Sequence, residues 1–397
     1  MFILDPIIGE MKMELNDDSL EEYSTIIIFI SINEVSLLVN NKHVGIYKEN
    51  EIHRCILKSY KPYYVVNFNS KILSKTIEIF FKFPKIVSFI SCDYLELRNK
   101  NCLWNHIKSD TIFHIGDNIY MDIIYNKAKK NKWSYDKINE KGLKRYTKNL
   151  NPIKCYHDRS NLMLWDDHDI CDGFKLEQMD NYSKPLVELY NKIQGGLLLY
   201  ECQGPGKSFY RIYNRTLVYF IERVSIEKTI LSYISKVING TSNIDKCILC
   251  FTSSPVIIPD NSSYAKIFGK DGSWTCNQFI QLAELIENHK NIKFIIIGGD
   301  LHMGLYGLLN DTPIIVTSPM TNICTPIEKA LGKKLKGKEF ILDSKTKLKY
   351  VNYTSKRNYI NVNLDTLEVE IVKEKKKTVP SIEQLVKVLY QLTYRSE

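Results

Sequence analysis

The chain has 397 residues, of which 44% are hydrophobic and 25% charged, an ordinary globular composition with room for one large domain and appendages or for two domains. Its formal net charge of +9 favours anionic partners but falls far short of a histone-like excess. The ten cysteines form no close-spaced framework, and Met1 to Glu10 has neither the basic start nor the long apolar stretch of a signal peptide. They therefore read as reduced thiols of an intracellular, cytoplasmic protein.

Residues 1–84 read as a separate β-rich segment. An acidic opening (Glu10, Glu14, Asp17, Asp18, Glu21, Glu22) is followed by β-rich runs at Thr25–Ile32, Val35–Val39, His43–Tyr47, His53–Lys58 and Tyr63–Phe68. Asn40-Asn41 between two of these runs is a hairpin signal. The first run is too short to cross a bilayer, so no membrane span is expected. A small sandwich or meander fits the pattern, and nothing in it suggests chemistry.

From Lys85 to about Asn322 strand-like runs alternate with helical or irregular stretches, the mark of an α/β layered domain. Four apolar runs share one design. Ile86–Ile90 ends in Ser91-Cys92-Asp93, and Thr111–Ile115 ends in Gly116-Asp117 with Tyr120 and Asp122 just beyond. Leu162–Trp165 runs into Asp166, Asp167, His168 and Asp169, and Phe294–Ile297 runs into Gly298-Gly299-Asp300 with His302 two residues on. Short apolar runs bounded by polar residues read as buried strands. In α/β sheets, sites assemble at the carboxyl ends of strands. Carboxylates crowded around an imidazole repel one another unless a cation holds them, and a bound metal is the simplest such cation.

Between the second and third of these strands lies a basic insertion, Lys127–Lys154, which suits either a solvated helical face or the steering of an anionic substrate. Within it, Trp133 and Tyr135 suit packing anchors or stacking on a base. Further on, Lys246–Ser254 reads as a buried strand, Gln278–His289 as a helix packed on the sheet, and Ile314–Ser318 as another strand. Glu328–Lys338 turns basic and reads as a loop. Tyr359–Leu364 and Glu368–Val372 read as a hairpin, and the end from Ser381 as an amphipathic helix opened by a Ser381/Gln384 capping box.

Three tempting signals fail. GPGKS at Gly204–Ser208 lacks the glycine a P-loop needs at 201, where Glu201 stands, and reads better as a turn into a strand Phe209–Tyr213. Cys247 and Cys250 form a CxxC without a second pair, and residues three apart on a strand point to opposite faces, which argues against zinc or redox chemistry. A serine hydrolase stays open as a third reading, marked by insensitivity to chelators, but no Gly-x-Ser-x-Gly elbow occurs.

SCDYLE at 91–96, GDNIYMD at 116–122, WDDHD at 165–169 and GGDLH at 298–302 resemble, in order and spacing, the motifs of the alkaline phosphatase D-like branch of the metallophosphoesterase superfamily. FIER at 220–223 is similar to the family's strand with Arg223 in the arginine position, although Ile221 stands where an Asp is expected. SSPVI at 253–257, DGSW at 271–274 and TSPMTN at 317–322 are further landmarks, and the resemblance covers about residues 86–370. It implies an α/β fold of four-layer type, a β-sandwich flanked by helices. A small N-terminal β domain (1–84) would precede a catalytic domain (85–397) that ends in a hairpin and helix.

On this reading Cys92, Asp117, Tyr120 and His302 form a mixed sulfur, oxygen and nitrogen site that suits Fe3+, since a phenolate beside a thiolate and imidazole favours trivalent iron. Asp117 bridges to a second ion held by Asp167 and Asp300. That oxygen-dominated site suits Ca2+, Mg2+ or Mn2+. The resemblance implies iron paired with calcium, with Zn2+ also open. Singly each ligand has a plainer explanation: Cys92 as a buried thiol, His302 as a core histidine, Asp117 as a helix cap. Together, at four strand ends, they point to a dinuclear centre, with Asp122, Asp166 and Asp169 orienting the ligands or His168.

The expected activity is hydrolysis of phosphomonoesters or phosphodiesters, with hydroxide held between the two ions as nucleophile. His168 serves as general acid or phosphoryl anchor, and Arg223 grips a non-bridging oxygen. The basic insertion favours a nucleotide or a nucleic acid end as substrate. The alternative is a catalytically weak, metal-loaded scaffold that binds nucleic acid or a protein partner through Lys127–Lys154. The oligomeric state is not legible.

Overall fold

The computed structural model describes residues 2–15, 21–31, 33–48, 50–70, 74–81, 84–98, 103–198, 208–221, 228–241, 243–258 and 274–374. Two sheets stack at its centre. One has five strands in the order Ser160–Leu164, Thr111–Ile115, Ile86–Ile90, Asn358–Asn363, Val369–Lys373, the first three parallel and the last two joined antiparallel. The other has eight: Phe209–Tyr213, Thr216–Ile221, Lys246–Phe251, Lys293–Gly298, Thr312–Val316, Gly304–Leu309, Lys347–Thr354 and Glu339–Ile341.

The central strands Ile86–Ile90, Thr111–Ile115, Ser160–Leu164, Thr216–Ile221, Lys246–Phe251 and Lys293–Gly298 are buried along nearly their whole length, which is why their sequences are predominantly apolar. Val87, Phe89, Phe113, Ile115, Leu162 and Leu164 of the first sheet meet Val218, Phe220, Ile248, Ile295 and Ile297 of the second. Phe113 stands edge-on to Phe89 at 5.1 Å and to Phe220 at 5.0 Å, an arrangement that ring quadrupoles favour. On the outer face of the five-stranded sheet, Ile90, Ile112 and Met163 pack with Ala128, Ile138, Tyr146, Leu186 and Tyr190 of the helices Asp122–Asn131, Tyr135–Leu150 and Lys184–Ile193. The eight-stranded sheet is covered by Lys228–Gly240, Cys276–Glu287 and Pro326–Leu335, through Ile234, Phe279, Leu282 and Leu331. Helices, sheet, sheet and helices make the expected four layers. Cys247 packs with the outer helices and Cys250 with the inter-sheet core, on opposite faces as their spacing requires.

The N-terminal residues form two facing sheets, Phe2–Leu15 with Glu21–Ser31 and His53–Ser59, and Lys42–Tyr47 with Val35–Val39, Tyr63–Asn69 and Ser74–Phe80. Ile8, Ile27, Phe29, Leu37, Val66 and Phe68 fill the space between them. Asn40 and Asn41 turn the expected hairpin with φ of 49° and 64°. The strand Phe2–Leu15 was not legible as one. Its acidic residues disguise a run whose Leu4 and Ile7 pack into the same core as the five-stranded sheet and its helices. It also covers the sandwich edge: Ser160 Oγ donates to Gly9 O at 3.0 Å, Asn161 Nδ2 donates to Ile8 O at 3.2 Å, and Arg211 donates to Glu10 Oε2 at 2.8 Å. Sheet edges left open invite pairing with other chains, and this strand closes one.

The basic stretch after Thr325 is a correction. Pro326–Leu335 is a helix, because Thr325 and Glu328 form a capping box, Pro326 opens it, and Leu331 and Leu335 bury one face. The strand Phe209–Tyr213 and the hairpin Asn358–Asn363/Val369–Lys373 are present. Gly204–Lys207 and the C-terminal amphipathic helix lie outside the described residues. No helix among the described residues is long and apolar enough to cross a membrane.

His114 shows how strongly this packing controls charge. Its ring stacks on Tyr156 at 5.4 Å, Nε2 meets Asn161 Oδ1 at 3.0 Å, and burial pulls its pKa down to about 4. The neutral folded form contributes stability above pH 6.5, and that contribution is lost as the pH falls through about 4. The shift corresponds to roughly 3 kcal/mol. Urea unfolding at pH 7 and pH 4 should show His114→Phe losing less stability across that interval than the native chain; equal losses would refute the assignment.

Candidate metal centre

Four strand ends converge where the two sheets meet. The strands Ile86–Ile90, Thr111–Ile115 and Ser160–Leu164 are neighbours in one sheet, while Lys293–Gly298 belongs to the other. Gly299 lets them close: a Cβ there would stand 2.6 Å from Ile115 O and 2.7 Å from Ser91 Oγ. Cys92 N donates to Gly116 O at 3.3 Å and Asp93 N to Asp117 O at 3.0 Å, which locks the first two loops together. Asp300 N donates to Ser91 Oγ at 3.3 Å and ties in the third.

At these ends the backbone turns through the left-handed region. Cys92, Asp117, Tyr120 and Asp300 have φ of 57°, 56°, 54° and 67°. For a residue with a Cβ this costs about 1–2 kcal/mol, and such strain persists where surrounding structure enforces it, often at functional sites. At Cys92, Asp117 and Tyr120 the turn swings the side chain off its strand and into a shared rim; the Asp300 carboxylate is in none of the donor groups found among the described residues.

The rim brings four donor atoms together. Tyr120 Oη lies 3.2 Å from Asp117 Oδ2 and 3.2 Å from His302 Nε2, and Cys92 Sγ lies 3.6 Å from Asp117 Oδ2. A cation with bonds of about 2.0–2.3 Å separates adjacent donors by roughly 2.9–3.8 Å, so these spacings fit one ion. Asp117 Oδ1 is buried and has no hydrogen-bond partner among the described residues, as a bridging carboxylate would leave it before its second cation binds. Asp117, Asp166 and Asp167 form a second group whose oxygens lie within 4.8 Å of one another, and Asp167, His168 and Asp172 form a third. Asp300 is half-buried beside Cys92, whose Sγ meets its backbone oxygen at 3.2 Å.

The electrostatics describe a cluster built for positive charge. Burial lifts the Asp117 carboxyl well above the usual range; His168 pulls it back, and Asp166, Asp167 and Asp300 push it further. Burial, then Asp117, raises the Cys92 thiol, and burial with Asp117 and Cys92 raises the Tyr120 phenol. For His168 burial favours the neutral ring, but Asp122, Asp167 and Asp117 outweigh it and raise its pKa well above the ordinary value. His168 Nδ1 faces Asp122 Oδ1 at 3.0 Å, and its ring stacks on Tyr120 at 4.8 Å.

Supporting groups fix the donors. Asp169 caps two loops at once: Oδ1 accepts from Asn118 N and Ile119 N, each at 2.9 Å, and Oδ2 accepts from Asp166 N at 3.0 Å. Asp166 Oδ1 accepts from Asp167 N at 2.9 Å. Two further residues escaped the sequence reading. Asn322 Nδ2 donates to Tyr120 Oη at 3.0 Å and His302 Nε2 at 2.9 Å. Glu328 accepts from His302 N at 3.0 Å and faces His302 Nδ1 at 3.2 Å, so the ring proton sits on Nδ1 and Nε2 presents its lone pair to the rim. The Thr325-to-Glu328 capping box was the available signal for Glu328. Arg223 and residues 271–273 lie outside the described residues.

The stacked sheets, with metal-type donors at their joined strand ends, match the fold expected from the motifs, that of solved metallophosphoesterase structures. PhoD, alkaline phosphatase D, is similar over 99% of this chain and 98% of its own, with a TM-score of 0.62 and 12% identity. Purple acid phosphatase PPD1 from yellow lupin (Lupinus luteus) is similar over 95% of this chain and 73% of its own, at a TM-score of 0.54 and 11% identity. No family model and no curated protein sequence matches the chain.

Proposed function

We propose that this chain is a metal-dependent phosphoesterase acting on phosphomonoesters or phosphodiesters at a dinuclear centre. The convergence of Cys92, Asp117, Tyr120 and His302 donors at 3.2–3.6 Å carries the reading. Cys92, Tyr120, His302 and Asp117 would hold Fe3+, while Asp117, Asp167 and Asp300 would hold Ca2+ or another divalent ion. The N-terminal 1–84 forms a supporting β domain and 85–397 the catalytic one.

Two bound cations supply the charge that makes water a nucleophile near neutral pH and that neutralises phosphoryl oxygens. Asp117 would be the carboxylate common to the two sites. Asp122 anchors His168 through Nδ1, so Nε2, 3.8 Å from Asp172 Oδ1, is the nitrogen that binds a phosphoryl oxygen or gives its proton to the leaving oxygen. Arg223 takes a non-bridging oxygen with its fork of donors.

Elemental analysis with a visible spectrum tests the site. Iron and a charge-transfer band from the Tyr120 phenolate are expected, with activity lost to chelators. An active, colourless, iron-free protein would strike Tyr120 from the ligand set. Glu328→Ala should weaken metal retention about 10–100-fold in competition with a chelator, because His302 loses the partner that fixes its ring. Unchanged retention would show that His302 needs no such support.

A further inference from the structure

The insertion between the second and third ligand strands folds as two helices, and its charges are sorted. On Tyr135–Leu150, Lys137, Lys141, Lys144 and Lys148 recur at i, i+4, i+7 and i+11. At 100° per residue they fall within about 60° of one another and run for roughly 16 Å. Asp136 lies off the row, and Glu140 borders it. Glu140 does reach Lys144 and Lys141, but such exposed pairs contribute little and yield to a stronger anion. Lys137, Lys144 and Lys148 are exposed and Lys141 is half-buried, and Lys127, Lys129, Lys130 and Lys132 of the preceding helix and its end are exposed.

The stripe is anchored to the metal rim. Arg145, on the helix face next to it, is buried, donates Nε to Ile119 O at 3.3 Å and pairs with Glu96, which follows Cys92 in the same loop. Lys148 lies near enough to Glu96 to help keep that carboxylate ionised. The first helix begins at Asp122, two residues beyond Tyr120. One end of the cationic row therefore lies beside the loops that carry Cys92, Asp117 and Tyr120.

We propose that this row is a docking track for a single strand of nucleic acid, which it leads by its phosphates towards the metal centre. The proposal rests on the phosphoesterase reading for what happens at the end of the track, and on charge complementarity for the track itself. A regular line of ammonium groups along one helix flank matches a phosphate backbone and reads no bases, so binding is independent of sequence and steeply dependent on salt.

The test uses the full chain and a fluorescent single-stranded 12-mer DNA, with anisotropy measured across a salt series, with and without added metal. The variant K137Q/K141Q/K144Q/K148Q keeps good helix formers on the solvent-facing flank. It should bind the strand at least about tenfold more weakly at moderate salt, with the slope of log affinity against log salt reduced by roughly 3. Its turnover of a small chromogenic phosphodiester should match the native chain. Equal oligonucleotide affinity and slope in the two proteins would overturn the track. Polyglutamate binding as tight as the oligonucleotide's would overturn the nucleic acid assignment. A native chain that hydrolyses no chromogenic ester yet shows lysine-dependent strand binding would sink the hydrolase reading and leave the track standing.

Discussion

Asp117→Asn should abolish phosphoester hydrolysis, with a fall on the order of a thousandfold or more, and the purified variant should carry less metal per chain. Asp117 Oδ2 lies 3.2 Å from Tyr120 Oη and 3.6 Å from Cys92 Sγ, and Oδ1 is buried and lacks a partner among the described residues. On the proposed role, neutralising it would remove the negative charge shared by two cations, whose joint stabilisation of a reacting phosphoryl group would be worth several kcal/mol. The fold should survive. Asparagine tolerates the left-handed φ of 56° as aspartate does. The metal-free variant should also be at least as stable as the metal-free native chain at pH 8. The Asp117 carboxyl, raised in the folded chain, favours folding below its unfolded value near 3.8 and loses that advantage as pH rises through the folded value. Asparagine has no such loss. Full activity with full metal content in this variant would dissolve the bridging role.

His168→Ala should leave the metals in place and slow turnover about 10²–10⁴-fold, the usual reach of general acid catalysis. The imidazole lies against Tyr120 and is anchored by Asp122, yet it supplies none of the four converging donors. The deficit should grow with the pKa of the leaving alcohol when a series of aryl esters is compared, since poor leaving groups depend most on a donated proton. A deficit of equal size across the series would point to phosphoryl anchoring instead. Loss of metal from the variant would make His168 a ligand.

Much of this was written in the strands. Buried runs such as Ile86–Ile90 and Thr111–Ile115 have no polar face to disguise them, and a donor at the carboxyl end of each is visible without knowing which strands are neighbours. What periodicity does not carry is support from remote sequence. Glu328 lies 26 residues past His302 and reaches it only because the Thr325 cap starts a helix there. A density of lysines from 333 to 338 hid that helix, since charge on the outer face masks the burial of Leu331 and Leu335. Phe2–Leu15 was hidden likewise: Glu10 reads as solvent-facing until Arg211, two hundred residues on, is placed beside it.

That first strand has a practical corollary. Its Leu4 and Ile7, with Ile26, Ile28 and Ile30 of its neighbour, share one apolar mass with Met163, Tyr190 and Leu197 of the layered α/β part. Anyone trimming the chain to begin at Lys85 would strip the wall from that interior and uncover an unpaired strand next to the DDHD loop. The minimal folding unit therefore includes the β module in front of the layered part, and expression, crystallisation or engineering should treat the two as one piece.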